Sequence, residues 1–173
     1  NDHAEANVKS KEKEGPHRCF PGCEVGRDTN KRFHDPPGCR GSARLSTAFE
    51  GQTLYGSDSD ADGVFGKIGE GGLAIDTYED MVRLYDGFDM GSPDFSASMT
   101  ISGPAPLIIA IYIAPSKKRF GPMLLPNLRC TIPADIFKEV HAPNQTLFPP
   151  EPSLRFLLDF FSSTLVYMPR CLP

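Results

Sequence analysis

Several things are scarce in this 173-residue chain, and each scarcity closes a door. Basic residues do not dominate: 18 Lys and Arg against 22 Asp and Glu leave a net charge of -4, so composition offers no cationic surface for nucleic acid. No apolar run reaches the roughly 18 residues that a bilayer requires; the longest, Pro104 to Pro115, has the length of a buried helix. The opening segment NDHAEANVKSKEKEG lacks the apolar region of a secretory signal, so residues 1–16 read as a solvated, disordered lead-in. A cytoplasmic protein is expected, or a mitochondrial matrix one if the source is eukaryotic. The five cysteines, at 19, 23, 39, 130 and 171, are odd in number and without paired spacing, which argues against a disulfide framework.

What remains is ordinary globular material, 39% hydrophobic and 23% charged, enough for one domain with a core. Of the 17 prolines, 13 gather in residues 16–37 and 122–173. Along the chain the pattern alternates strand and helix. A short helix is expected over Arg27 to His34, stopped by Pro36-Pro37. Ala43 to Phe49 reads as a buried strand, Gly51 to Gly72 as a Gly- and Asp-rich loop, and Thr77 to Tyr85 as a helix with Thr77 as N-cap and Asp80 three residues on. Phe95 to Ile101 alternates, with Ser96, Ser98 and Thr100 on one face and Ala97, Met99 and Ile101 on the other. Gly103-Pro104 breaks that strand. An apolar helix over Ala105 to Ala114 follows, then a loop from Pro115 to Pro126, a third strand from Cys130, and an amphipathic helix over Ser153 to Met168. Its apolar stripe is Leu154, Leu157, Leu158, Phe161 and Leu165. Strands alternating with helices imply parallel β/α units.

The stretch Ala43 to Ala114, with Gly26 to Phe33 (GRDTNKRF) before it and Thr131 to Arg170 after it, resembles the substrate barrel of the adenosylcobalamin-dependent acyl-CoA mutases, of the methylmalonyl-CoA and isobutyryl-CoA mutase large-subunit type. That resemblance implies an α/β fold, here an incomplete (β/α)8 TIM-barrel fragment of about three β/α units over residues 17–173. It also implies an acyl-CoA whose pantetheine arm threads the barrel axis. Threading needs small inward residues, and short hydroxyl side chains can hydrogen-bond the arm's amides. Ser96, Ser98 and Thr100 meet that need, with Ser46 at the matching position of the first strand and Thr131 at that of the third. On residue pattern alone, an alternating Ser/Thr strand is an ordinary half-exposed strand. Phe20, in R18-C19-F20-P21-G22, falls where the family carries an aromatic beside the reacting acyl group; without the resemblance it counts as core.

The family's reaction exchanges a hydrogen and a carbon-linked group on adjacent carbons, with radical chemistry supplied by adenosylcobalamin. No catalytic residue is assigned in this chain. Proline stands at 133 and 143, where the family places Gln and a substrate-reading Arg or Gln. The family's catalytic His, in S-G-Y-H, is expected beyond residue 170, and the D-x-H-x-x-G signature of the cobalamin-binding module appears nowhere. The expected partners are therefore acyl-CoA and either a cobalamin-binding subunit or the remainder of the barrel. The alternative is a non-catalytic fragment or degenerate relative that binds acyl-CoA or another subunit. Three further motifs have weaker meanings. Asp58-Ser59-Asp60-Ala61-Asp62-Gly63 matches half of a calcium loop but lacks its terminal Glu; Gly69 to Ala74 formally matches a nucleotide-binding turn but follows no strand. His17, Cys19, Cys23, His34 and Cys39 have zinc-type chemistry in an unusual order, so coincidental substitution is the expectation and no metal site is assigned.

Overall fold

The computed structural model describes residues 18–20, 24–35, 44–101, 103–132 and 148–170. It is a mixed α/β arrangement whose elements run in chain order β1 (Glu24–Val25), α1 (Gly26–His34), β2 (Arg44–Ala48), α2 (Gly51–Tyr55), β3 (Leu73–Ala74), α3 (Tyr78–Leu84), β4 (Ser96–Thr100), α4 (Ala105–Phe120), a 3-10 helix (Pro122–Asn127), β5 (Cys130–Thr131) and α5 (Pro150–Tyr167). All strand pairs are parallel. One sheet has the order β2-β4-β5, and β1 pairs with β3 in a second, two-stranded sheet. Single bridges extend the larger sheet, Cys19 beside Leu45 and Phe49 beside Leu73.

Parallel neighbours need a crossover on the sheet face, and the sequence supplies apolar helices for it. Leu45, Ala97, Met99, Ile101 and Ile132 turn one face of the sheet toward Met81, Leu84 and Tyr85 of the α3 region and Ile108, Ile109 and Tyr112 of α4, all buried. The alternation expected along β4 holds: Ala97 and Met99 are buried, while Ser96 and Ser98 are half-buried and Thr100 exposed on the other face.

Local chemistry sets the element ends. Helix α1 carries Asp28 in its first turn and Lys31, Arg32 and His34 in its last, the order that the helix dipole favours. It crosses α3 at Gly26, where a Cβ would stand 2.7 Å from the Asp80 carbonyl. Helix α3 begins in a capping box, Asp80 N–H donating to Thr77 Oγ1 (3.4 Å) and Thr77 N–H to Asp80 Oδ2 (3.1 Å).

Four expectations need correction. The glycine-rich loop contains a short helix, α2, and ends in strand β3. The apolar helix does not stop at Ala114 but runs through Pro115 to Phe120. Proline costs one backbone hydrogen bond there, yet Ser116 follows it fully buried, its hydroxyl donating to the Tyr112 carbonyl at 2.9 Å, so packing carries the helix onward. Helix α5 forms, but its expected core stripe is split: Leu157 and Phe161 are half-buried, whereas Leu154, Leu158 and Leu165 are 52%, 56% and 59% exposed. The buried side instead falls on Ser153, Phe160 and Thr164. Finally, Cys19 and Cys130 are each disulfide-bonded, against the expectation from their spacing, because separation along the chain does not report proximity in space.

Candidate functional site

The site is built on the sheet face that the helices leave open. In the β2–β4 register Arg44 pairs with Ser96, Ser46 with Ser98, and Ala48 with Thr100; in the β4–β5 register Ser98 pairs with Thr131. Paired residues in parallel strands point to the same face, so Ser46, Ser98 and Thr131 form a row across three strands. At roughly 4.8 Å between strands the row is about 10 Å long. Ser96, Ser98 and Thr100 form a column along β4 that crosses this row at Ser98. The face is a cross of short hydroxyl groups, with the exposed Arg44 beside Ser96 at one end.

One side chain that sequence reasoning passed over completes it. Arg18 reaches over this face and donates through Nη1 to the Leu45 carbonyl (3.2 Å) and Ser46 Oγ (3.3 Å), and through Nη2 to Ser96 Oγ (3.4 Å). Its position follows from the parallel bridge of Cys19 to Leu45, held by Cys19 N–H on the Arg44 carbonyl and Ser46 N–H on the Cys19 carbonyl, both at 2.8 Å. With Cys19 on the buried face, alternation puts Arg18 and Phe20 on the hydroxyl side. The signal was available in the motif R18-C19-F20, whose two outer residues share a face if the segment is extended. Phe20 itself is 74% exposed and is not part of the core.

Ser46 is buried, Ser96 and Ser98 are half-buried, and Thr100 and Thr131 are exposed, so the structure brings five of the six expected site residues together on one face, with Phe20 at its edge. A cationic fork beside neutral hydroxyls can hold amide carbonyls or an anionic group.

The mouth of β2 carries a different chemistry. Glu50 is 1% exposed; Oε2 accepts from the Gly69 N–H at 2.5 Å, while Oε1 has no protein partner among the described residues. Thr53 Oγ1 accepts from Ile75 N–H (3.0 Å), and Gly72 lies so close to the end of β2 that a Cβ would meet the Ala48 carbonyl oxygen and the Phe49 carbonyl carbon at 2.7 Å. These contacts tie the 57–72 loop to the end of the strand. Asp58, Asp60 and Asp62 lie in that loop, and no group of three His, Cys, Asp or Glu side chains among the described residues could hold a metal ion. Of the residues with zinc-type chemistry, His17, Cys23 and Cys39 lie outside the described residues, as do Pro133 and Pro143.

Behind the sheet, Tyr85 and Tyr112 meet edge to face at 5.5 Å. Burial pushes the Tyr85 hydroxyl up to about 12, partly offset by its contact with Thr47 Oγ1 at 3.5 Å. Burial, and then the neighbouring Tyr85, pushes Tyr112 well above the ordinary tyrosine value.

Among the described residues no histidine is placed to ligate the cobalt of adenosylcobalamin. His34, the one described histidine, stacks on Phe88 at 4.4 Å with Nε2 at 3.1 Å from the Asp86 carbonyl, so it is not presented to a metal.

Fold and site together define a class: parallel β/α units with a helix-covered face and a small-residue, hydroxyl-lined face. The family profile described as methylmalonyl-CoA mutase matches residues 16–173, and the chain belongs to that family. It is 38% identical over 170 residues to fused isobutyryl-CoA mutase of Cupriavidus metallidurans, an alignment covering 86% of this chain and 16% of that protein. Fused isobutyryl-CoA mutase of Geobacillus kaustophilus is 36% identical over 167 residues, with 84% and 15% covered. Mitochondrial methylmalonyl-CoA mutase of Mus musculus is 36% identical over 153 residues, with 88% and 20% covered. The chain thus spans a fifth or less of the length of these relatives.

Proposed function

We propose that residues 17–173 are part of the substrate barrel of an acyl-CoA mutase, an incomplete (β/α)8 fragment whose hydroxyl face holds the pantetheine arm of an acyl-CoA. The observation that carries this reading is the register that aligns Ser46, Ser98 and Thr131 across three strands. Pantetheine is a chain of methylenes and two amides, so it needs short donors and acceptors on a face free of bulk. Ser96, Ser98 and Thr100 supply the column, Ser46 and Thr131 the flanks, and Arg18 a charge-assisted donor that exchanges its serine partners for ligand oxygens. Phe20 stands at the edge of this face, where an aromatic would pack beside the acyl group. Phe20 and the likeness to isobutyryl-CoA mutases favour an uncharged, branched acyl chain. When bound, adenosylcobalamin supplies radical chemistry; its site, and the proton-handling His of the family, belong in this reading to a partner subunit or to the rest of the barrel.

Calorimetry of the 173-residue chain with CoA tests the reading. Saturable binding that weakens about fivefold in Ser98→Val supports it, that being the worth of roughly one hydrogen bond; no heat, or equal affinity in the variant, ends it.

A second reading, a non-catalytic acyl-CoA-binding or subunit-interaction domain, is favoured by the exposed Leu154, Leu158 and Leu165 of α5, which form an apolar surface suited to a partner. The chain incubated with adenosylcobalamin and isobutyryl-CoA separates the two, since product formation by the chain alone excludes the second.

A further inference from the structure

On the helical side of the sheet, remote from the hydroxyl face, α3 and α4 part to leave a cavity of ≈ 430 Å³. Its walls are Tyr78, Val82, Met90 and Pro115, and its rim carries Lys118 and Arg119. The volume lies within the range of small-molecule sites, which are mostly apolar with a few placed polar groups. Methionine in such a wall adapts to irregular aliphatic ligands.

The charges at the rim are in excess of what the fold needs. The end of α4 presents about half a negative charge, yet its last turn holds Lys117, Lys118 and Arg119. Arg119 has Asp86 at 3.9 Å, an exposed pair of little strength. Lys118 has no carboxylate partner among the described residues; its ammonium lies 5.8 Å from the centroid of the Tyr78 ring, at the entrance. An apolar cleft whose mouth holds an ammonium over an aromatic ring, with no carboxylate beside it, matches a ligand with one negative head and one aliphatic tail. A dianion such as a phosphate monoester would find only one cation without a carboxylate partner, since Arg119 already has Asp86.

We propose that the α3–α4 cleft is a binding site for a medium-chain aliphatic carboxylate, the tail lying between Val82, Met90 and Pro115 and the head at Lys118 with Arg119 beside it. The carboxylate replaces water at Lys118 and draws Arg119 from its long contact with Asp86, while the tail removes apolar wall from solvent. This site does not depend on the acyl-CoA reading of the opposite face.

Nitrogen-15 NMR titration of the full chain with sodium octanoate is the test, with 1-octanol as the uncharged tail and acetate as the head alone. The expected result is saturable movement of the Val82, Met90 and Lys118 amides with a Kd on the order of 1 mM or below. Octanol and acetate bind about tenfold more weakly or worse. The double variant K118M/R119Q, altered only at exposed residues, loses about tenfold in octanoate affinity. Val82→Trp, which fills the cleft from a side chain that is 39% exposed, abolishes binding with an unchanged fold by circular dichroism. Absence of saturable shifts, octanol binding as well as octanoate, or undiminished binding by K118M/R119Q would overturn the proposal.

Discussion

Ser98 stands at the crossing of the hydroxyl row and column, so it is the residue whose loss should be felt most by a ligand on that face. Thr131→Val keeps shape and removes one hydroxyl at the end of the row; it should weaken CoA by a smaller factor than Ser98→Val in parallel titrations. Two tyrosines behind the sheet make a paired prediction with opposite signs. Tyr112 Oη is buried with no hydrogen-bond partner among the described residues, so Tyr112→Phe removes a desolvation cost and should raise stability by about 1 kcal/mol in urea unfolding. Tyr85→Phe instead leaves the buried Thr47 hydroxyl without its contact, and should lower stability by about 1 kcal/mol. At this scale the hydroxyl residues were readable because strand alternation assigns faces. Arg18 was only half readable: local alternation puts it on one face with Phe20, but which strand that face joins depends on a single bridge between Cys19 and Leu45, a pairing 26 residues apart.

Among the elements, the end of β2 is the tightest fit. Gly72→Ala places a methyl against the backbone of Ala48 and Phe49, which cannot yield as a flexible side chain would; a loss of about 2 kcal/mol or more is expected in the unfolding midpoint. The helix start at Thr77 was legible because a cap is a short-range device. The continuation of α4 through Pro115 was not, since proline is a local stop signal and what overrides it is tertiary: Tyr112 and Ser116 are fully buried on the same helix. Helix α5 shows the same limit from the other side. Periodicity located an apolar stripe, but which part of it touches the core depends on the azimuth at which the helix docks, and the structure turns Phe160 and Thr164 inward rather than Leu154, Leu158 and Leu165.

For the molecule as a whole, the two buried tyrosines set a pH dependence. Their hydroxyls are raised in the folded state, so the unfolded chain binds fewer protons above pH 10 and the slope of stability against pH is negative there. Stability should be fully present below the ordinary tyrosine value of 10.0 and fall as pH rises toward about 12, by roughly 3 kcal/mol from Tyr85, followed by thermal melts across that window. Parallel strands and family were legible from alternation and motif together. A closed barrel is a property of eight strands, and the described residues place three in the sheet that carries the site.

The hydroxyl face and the helical cleft lie on opposite sides of one sheet, which allows a single experiment to tell them apart. Chemical-shift mapping with pantetheine, the arm without its nucleotide, addresses the central claim most directly. Saturable shifts are expected at Ser46, Ser98 and Thr131, with loss of those shifts in Ser98→Val and no movement at Val82 or Lys118. Shifts confined to Val82 and Lys118, or none at any residue of the hydroxyl row, would contradict it.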